Sequence, residues 1–155
     1  MLTENFIKLL YGVTGMDIDH NTEGIGINIK GEKGRLNKFQ MMFGSGFWTN
    51  SGFQIGTGTT PPVPSDYKLE SPITENYNCT PLVKRILNID GKTVIEIYGN
   101  ITNTGSEAIT VNEFGWYCSY ETSETYRYLY AREVFNTPAV IEPGEVQAFS
   151  VRISL

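Results

Sequence analysis

Residues 93–155 alternate apolar and polar side chains with a period of two, and little but a half-buried β-sheet accommodates that pattern. Successive strand side chains point to opposite faces, so alternation sorts one set toward a core. In residues 93–101, Ile95, Ile97 and Ile101 share one face and Glu96, Tyr98 and Asn100 the other. Asn103-Thr104-Gly105-Ser106 then breaks the strand, since Asn bonds local backbone and Gly turns easily. Beyond Ala108, Ile109 and Val111 have one parity and Phe114, Trp116 and Cys118 the other. A strand changes parity only through an extra residue, so a bulge is predicted near Asn112-Glu113. A polar loop over residues 119–125 leads to a third strand over residues 126–135. There Leu129, Ala131 and Phe135 oppose Tyr126, Tyr128, Tyr130 and Arg132. Pro138 fits an edge or a strand start. Glu142-Pro143-Gly144-Glu145 reads as a turn, and Phe149, Val151, Ile153 and Leu155 as one face of a last strand, with Ala148, Ser150, Arg152 and Ser154 on the other.

The remaining composition agrees with this class. A chain of 155 residues defaults to one domain, residues 1–155, and at that size buries roughly 68–70% of its unfolded surface. Sixteen Gly and seven Pro amid short apolar runs indicate an all-β, antiparallel β-sandwich, immunoglobulin-like or jelly-roll, with a short N-terminal helix. The net charge of −5 carries no basic footprint, so no direct nucleic-acid contact is expected. Cys79 and Cys118 are read as free thiols in a cytosolically assembled protein. The N-terminus lacks the positive region of a signal peptide, and no run reaches the ~20 apolar residues of a membrane span.

The N-terminal segment, residues 1–23, is expected to begin with Thr3 capping a helix over residues 4–11, its apolar side formed by Phe6, Ile7, Leu9 and Leu10. Such a helix must dock, on its own sheet or on a neighbouring subunit. Asp17, Asp19 and Asn21 imitate the start of a calcium loop, but Thr22 and Asn28 stand where Gly and Glu belong, and His20 is the chain's one histidine. No metal or cofactor set results. Ile25, Ile27 and Ile29 alternate with Gly24, Gly26 and Asn28, Gly31-Glu32-Lys33-Gly34 turns the chain, and Phe39, Met41 and Phe43 mark another strand. Residues 44–58 interleave Gly with Phe47, Trp48, Phe53 and Ile55, without the Gly-Lys-Ser/Thr of a phosphate loop. Residues 58–72 carry Pro61, Pro62 and Pro64, which exclude helix or central strand and imply an extended crossover or arm. Residues 82–89 form a strand joined through Asp90-Gly91 to the strand at Thr93.

Four blocks carry a resemblance: FQIGTGTTPPVPSDYKLESPI (residues 53–73), ITNTGSEAITVNEFGWY (101–117), LYAREVF (129–135) and VIEPGEVQAFSVRI (140–153). In this order they resemble structural proteins of tailed-bacteriophage virions, over about the last two-thirds of the chain. The last two blocks are also generic to immunoglobulin-like sandwiches. The resemblance implies a virion component assembled in the host cytoplasm, whose partners are capsid, portal or neck, or tail proteins and further copies of itself. It carries over no catalytic or cofactor-binding residue.

A structural protein of this kind works through buried area with aromatic anchors. The candidates are Tyr126, Tyr128, Tyr130 and Arg132, then Phe47 with Trp48, then two arms bearing Phe6, Leu9 and Leu10 and Pro61, Pro62 and Pro64. The tyrosines serve equally as the second face of a sandwich strand. A glycan-binding module is the alternative, with Trp48, Trp116 and the tyrosines as stacking platforms. For an enzyme, Glu113, Glu121, Glu124 and Glu133 supply carboxylates, but nothing pairs two of them across a cleft.

Overall fold

The computed structural model describes residues 1–6, 25–35, 52–119 and 127–154. Nine antiparallel strands occur among them: β1 (Ile25–Ile27), β2 (Lys33–Arg35), β3 (Gly52–Gly56), β4 (Tyr77–Cys79), β5 (Val83–Ile89), β6 (Lys92–Asn103), β7 (Ile109–Ser119), β8 (Arg127–Ile141) and β9 (Val146–Ser154). One sheet has the order β3-β7-β8. In the other, β6 is central, with β4 and β5 along one side and β9 along the other. β1 and β2 form a separate hairpin.

The two larger sheets pack face to face as the antiparallel sandwich expected from the alternation. Ile97 and Ile101 of β6 and Phe149 of β9 meet Phe53, Ile55, Phe114, Trp116, Cys118, Tyr128 and Tyr130 in one core. Phe114 anchors it, with ring centroids 5.5 Å from Phe53, 5.7 Å from Phe135 and 5.3 Å from Phe149. Asp90 and Gly91, at φ 51° and 75°, make the tight β5–β6 turn. Gly144, at φ 78°, makes the β8–β9 turn.

The bulge expected from the change of parity is present: the β7–β8 register shifts between Val111 and Glu113. The same irregularity accommodates Pro138 inside β8. A second shift lies between Trp116 and Tyr117, because Trp116 pairs with Ala131 and Tyr117 with Leu129. Tyr130 is the extra residue, so it and Ala131 both enter the core.

Two local expectations need correction. The first turn sits at Asn28 to Glu32, with Lys33 already in β2, because the Asn28 side-chain oxygen accepts N–H bonds from Lys30 (3.0 Å) and Glu32 (2.9 Å). Thr3 precedes a helical turn at residues 4–6, but its hydroxyl donates to the Leu129 carbonyl at 2.6 Å instead of capping. The calcium-like loop with His20, the strand at Phe39 to Phe43, the Phe47-Trp48 pair and the loop after Ser119 lie outside the described residues.

Residues 1–6 dock on the chain's own sheet. Leu2 bridges Ala131, Thr3 N–H donates to the Tyr130 carbonyl and Arg132 N–H to the Met1 carbonyl, each at 2.9 Å. Residues 1–3 thereby extend the β3-β7-β8 sheet past β8. Phe6, 2% exposed, seats its ring 5.6 Å from Trp116 and 5.9 Å from Tyr130. Burial of a side chain of this size contributes roughly 1.5–3 kcal/mol.

Candidate interaction site: the anchored proline crossover

The outer face of the β3-β7-β8 sheet is covered by residues 57–73, which fold back across it. Two backbone bonds set the ends of this cover, Thr57 N–H to Ser71 O and Ile73 N–H to Ile55 O, and Asp66 N–H to Val63 O turns its middle. Leu69 is fully buried with Tyr117 and Leu129 on that face, and its N–H donates to the Tyr117 hydroxyl at 2.8 Å. Burial pushes the Tyr117 phenol well above its ordinary pKa, against the opposing pull of the Leu69 N–H and Arg127.

Glu113 organises the rest. Its bulged position turns a fully buried carboxylate toward the crossover, where it accepts N–H bonds from Gly58 (3.2 Å), Glu70 (3.2 Å) and Ser71 (2.8 Å). The Arg132 Nε donates to the same carboxylate at 2.8 Å, and Arg132 Nη1 to Asp66 at 2.9 Å. Glu70 stands 3.6 Å from Arg132 Nη2 and accepts bonds from the Thr60 N–H and hydroxyl. Burial works against the Arg132 charge, but the bonds to Asp66 and Glu113 outweigh it and raise its pKa. The Thr60 backbone and hydroxyl, ahead of Arg132, hold the Glu70 carboxyl below its ordinary value. The GTG sequence of residues 56–58 follows from this packing. A Cβ on Gly56 or Gly58 would lie 2.6 Å from Glu113 Oε1, and at Gly56 also 2.6 Å from the Ser71 carbonyl.

Above this network stands the tip, Pro61-Pro62-Val63-Pro64. Pro61 and Pro64 are exposed, Pro62 is half-buried, and Val63 is 48% exposed. The tip is pinned on both sides: Asp66 accepts the Val63 N–H at 2.9 Å, and the Pro64 carbonyl accepts the Glu4 N–H at 2.8 Å. Three of its four residues have no N–H to donate. It offers a partner ring faces, a valine and carbonyl acceptors on a pre-ordered backbone, which limits the entropy lost on binding.

The other expected interface residues divide. Tyr128 and Tyr130 are wholly buried in the core, and Arg132 is 3% exposed beneath the crossover. They are internal supports, so the expectation of a tyrosine-arginine contact patch is corrected for these three. The reason is coverage: the sandwich takes the tyrosines and the crossover takes the arginine. Phe6 is likewise occupied within its own chain. Leu9, Leu10, Phe47, Trp48 and Tyr126 lie outside the described residues. Among the described candidates, Pro61, Pro62 and Pro64 are the ones placed at a surface.

Trp116, 2% exposed, and the two buried tyrosines are closed to a stacking sugar. Glu113 and Glu133 face opposite sides of their sheet, since Glu133 pairs with the core-facing Phe114. Glu121 and Glu124 lie outside the described residues. Cys118 is buried and unpaired, its thiol pushed up to about 12 by burial against the pull of Lys84, and Cys79 is also unpaired. Among the described residues no cluster of three metal-ligating side chains occurs, and no helix is long and apolar enough to cross a membrane.

Sequence reasoning missed Asp66, Glu70 and the anchoring role of Glu113. The bare Gly56 and Gly58 were the available signal, because two glycines flanking one residue in a strand ending announce close approach by something else. Comparison of the chain with family models, curated proteins and solved structures finds no match.

Proposed function

We propose that the chain is a non-enzymatic structural component of a bacteriophage virion, docking on capsid or tail proteins or on further copies of itself. The observation that carries this reading is the crossover. A fold that buries the charges of Glu113 and Arg132 bears a desolvation cost, offset here by the bonds that hold the crossover in one conformation. The conformation fixed here is an exposed, rigid, apolar tip. The four-block sequence resemblance supplies the particle context, and the tip supplies a means of attachment.

The test is quantitative mass spectrometry of purified particles of a phage carrying this gene. A copy number tracking the major capsid protein assigns a head or decoration role. A few copies per particle assign the tail, neck or a fibre. Absence from particles overturns the reading.

A further inference from the structure

The sheet edges are not protected alike. An exposed strand edge is a template for another strand, and proteins cover or disrupt it by recognisable devices. The outer edge of β8 is paired over Leu129 to Arg132 with residues 1–3. The outer edge of β3 is covered at its Ile55-Gly56 end by residues 71–73, including Pro72. On the β5 edge, Lys84 pairs with the core-facing Ile97 and lies near Cys118, an inward-pointing charge that discourages a further strand. β4, on the same side of β6, is only three residues long.

β9 has none of these devices. It runs for nine residues without proline, and among the described residues it pairs only with β6. Its orientation follows from the ladder. Asn103 N–H bonds Glu145 O on the β9 side, whereas Asn100 bonds Thr80 on the opposite side. Odd-numbered residues of β6 therefore face β9, and their partners Gln147, Phe149, Val151 and Ile153 are consumed. Val146, Ala148, Ser150, Arg152 and Ser154 turn N–H and C=O outward. All five side chains are exposed, and four are small or apolar. The one charge, Arg152, is drawn along the sheet to Glu96 at 2.8 Å. Beside this strand a cleft of about 250 Å³ opens between the sheets, with Leu2, Phe114, Ala131, Phe135 and Val151 among its walls.

We infer that β9 is the self-association edge, pairing antiparallel with β9 of a second copy across a two-fold axis. This deepens the self-association named under the proposed function. A two-fold contact demands a self-complementary strip, and β9 meets that demand. In the longest register Ser150 opposes itself, Arg152 opposes Ala148 and Ser154 opposes Val146, so the two arginines do not face each other. The pairing joins two β4/β5-β6-β9 sheets into one continuous sheet and supplies partners for the outward N–H and C=O groups of both strands.

The experiment uses the full chain at rising concentration, with light-scattering mass and amide hydrogen exchange read together. The expected result is a dimer, with Ala148, Ser150 and Arg152 amides gaining protection as it forms. Ser150→Pro removes an outward N–H and leaves the β6 ladder intact, so it should raise the dimer dissociation constant about tenfold or more. Ser150→Gly, which keeps the N–H, controls for folding and should still dimerise. A chain that stays monomeric overturns the inference. So does a dimer insensitive to Ser150→Pro in a folded variant, or protection of these amides at every concentration, which would place another part of the same chain on the edge. Absence from virions would refute the particle reading and leave this pairing standing.

Discussion

Glu113 and Glu96 occupy matching places in the two sheets, and one of them has a roof. Each sits on a central strand, points away from the sandwich core and meets arginine from a neighbouring strand. Glu113 lies under the crossover with Arg132, whose side chain is 4% exposed. Glu96, itself only 1% exposed, lies between Arg85 and Arg152, whose side chains are 51% and 58% exposed and cover it from either side. The same two residue types thus perform different tasks. Under the crossover, water cannot replace a lost partner, and three backbone N–H groups depend on the carboxylate. On the open face, water and salt compete with both arginines, and the ladder only covers strand backbone.

Removing Arg132 tests the roofed side most severely. Arg132→Met should cost about 3–5 kcal/mol in urea unfolding, because it strands buried Glu113 beside Asp66. An isolated buried ion pair is often replaceable by apolar residues, but this one is not isolated. Glu113→Leu combined with Arg132→Met should stay at least about 2 kcal/mol below the wild type, since the N–H groups of Gly58, Glu70 and Ser71 lose their acceptor. Full recovery in the double variant would show that the crossover does not rely on the carboxylate. Gly56→Ala comes next, at about 1–3 kcal/mol, because the added methyl meets the Ser71 backbone as well as Glu113. Its amide-exchange signature should be concentrated in residues 57–73.

Arg152→Met on the open side should cost only about 0.2–1 kcal/mol, and less in high salt. Acid separates the contributions further. The bond from Arg152, then that from Arg85, lowers the Glu96 pKa in the folded chain against the opposing effect of burial. Its stabilisation is therefore present above the unfolded glutamate pKa of about 4.3 and is lost as pH falls through the folded value. Replacing Arg85 and Arg152 together by Met should flatten that part of the stability profile below about pH 4.3. An unchanged acid limb would mean that Glu96 is not held by its arginines.

The asymmetry between the faces also marks how far the sequence could be read. Alternation shows which residues share a face between bulges, and so it located the longer strands, the bulge beside Glu113 and the turns at Asp90-Gly91 and Glu142 to Glu145, but it took the start of β2 for a turn and missed the three-residue β4. It does not tell whether a face is covered. Arg132 and Glu113 carry the polarity of solvent-facing positions, yet they are buried by Asp66 and Glu70, more than forty residues distant in the chain. The prolines excluded regular structure from the crossover, but nothing in their spacing required it to lie on its own sheet. Tyr128 and Tyr130 were ambiguous because alternation does not show the second bulge: with Tyr130 as the extra residue, Ala131 and Phe135 join the tyrosines in the sandwich core, while Leu129 and Arg132 face the crossover.

The smallest expected effect on stability is the one that most directly addresses function. Val63 is half exposed at the tip, and its side chain lies outside the buried clusters, while its N–H and carbonyl hold Asp66 in place. Val63→Ser keeps that backbone and should change the unfolding free energy by no more than about 0.5 kcal/mol. If the rigid tip is an attachment point, the same substitution should lower the copy number per particle while leaving the protein's level in infected cells unchanged. Arg132→Met should lower both, because it releases the tip by destabilising the whole fold. Equal incorporation of Val63→Ser and wild type would confine the crossover to a structural role, with its buried charges serving only to close one face of the sandwich.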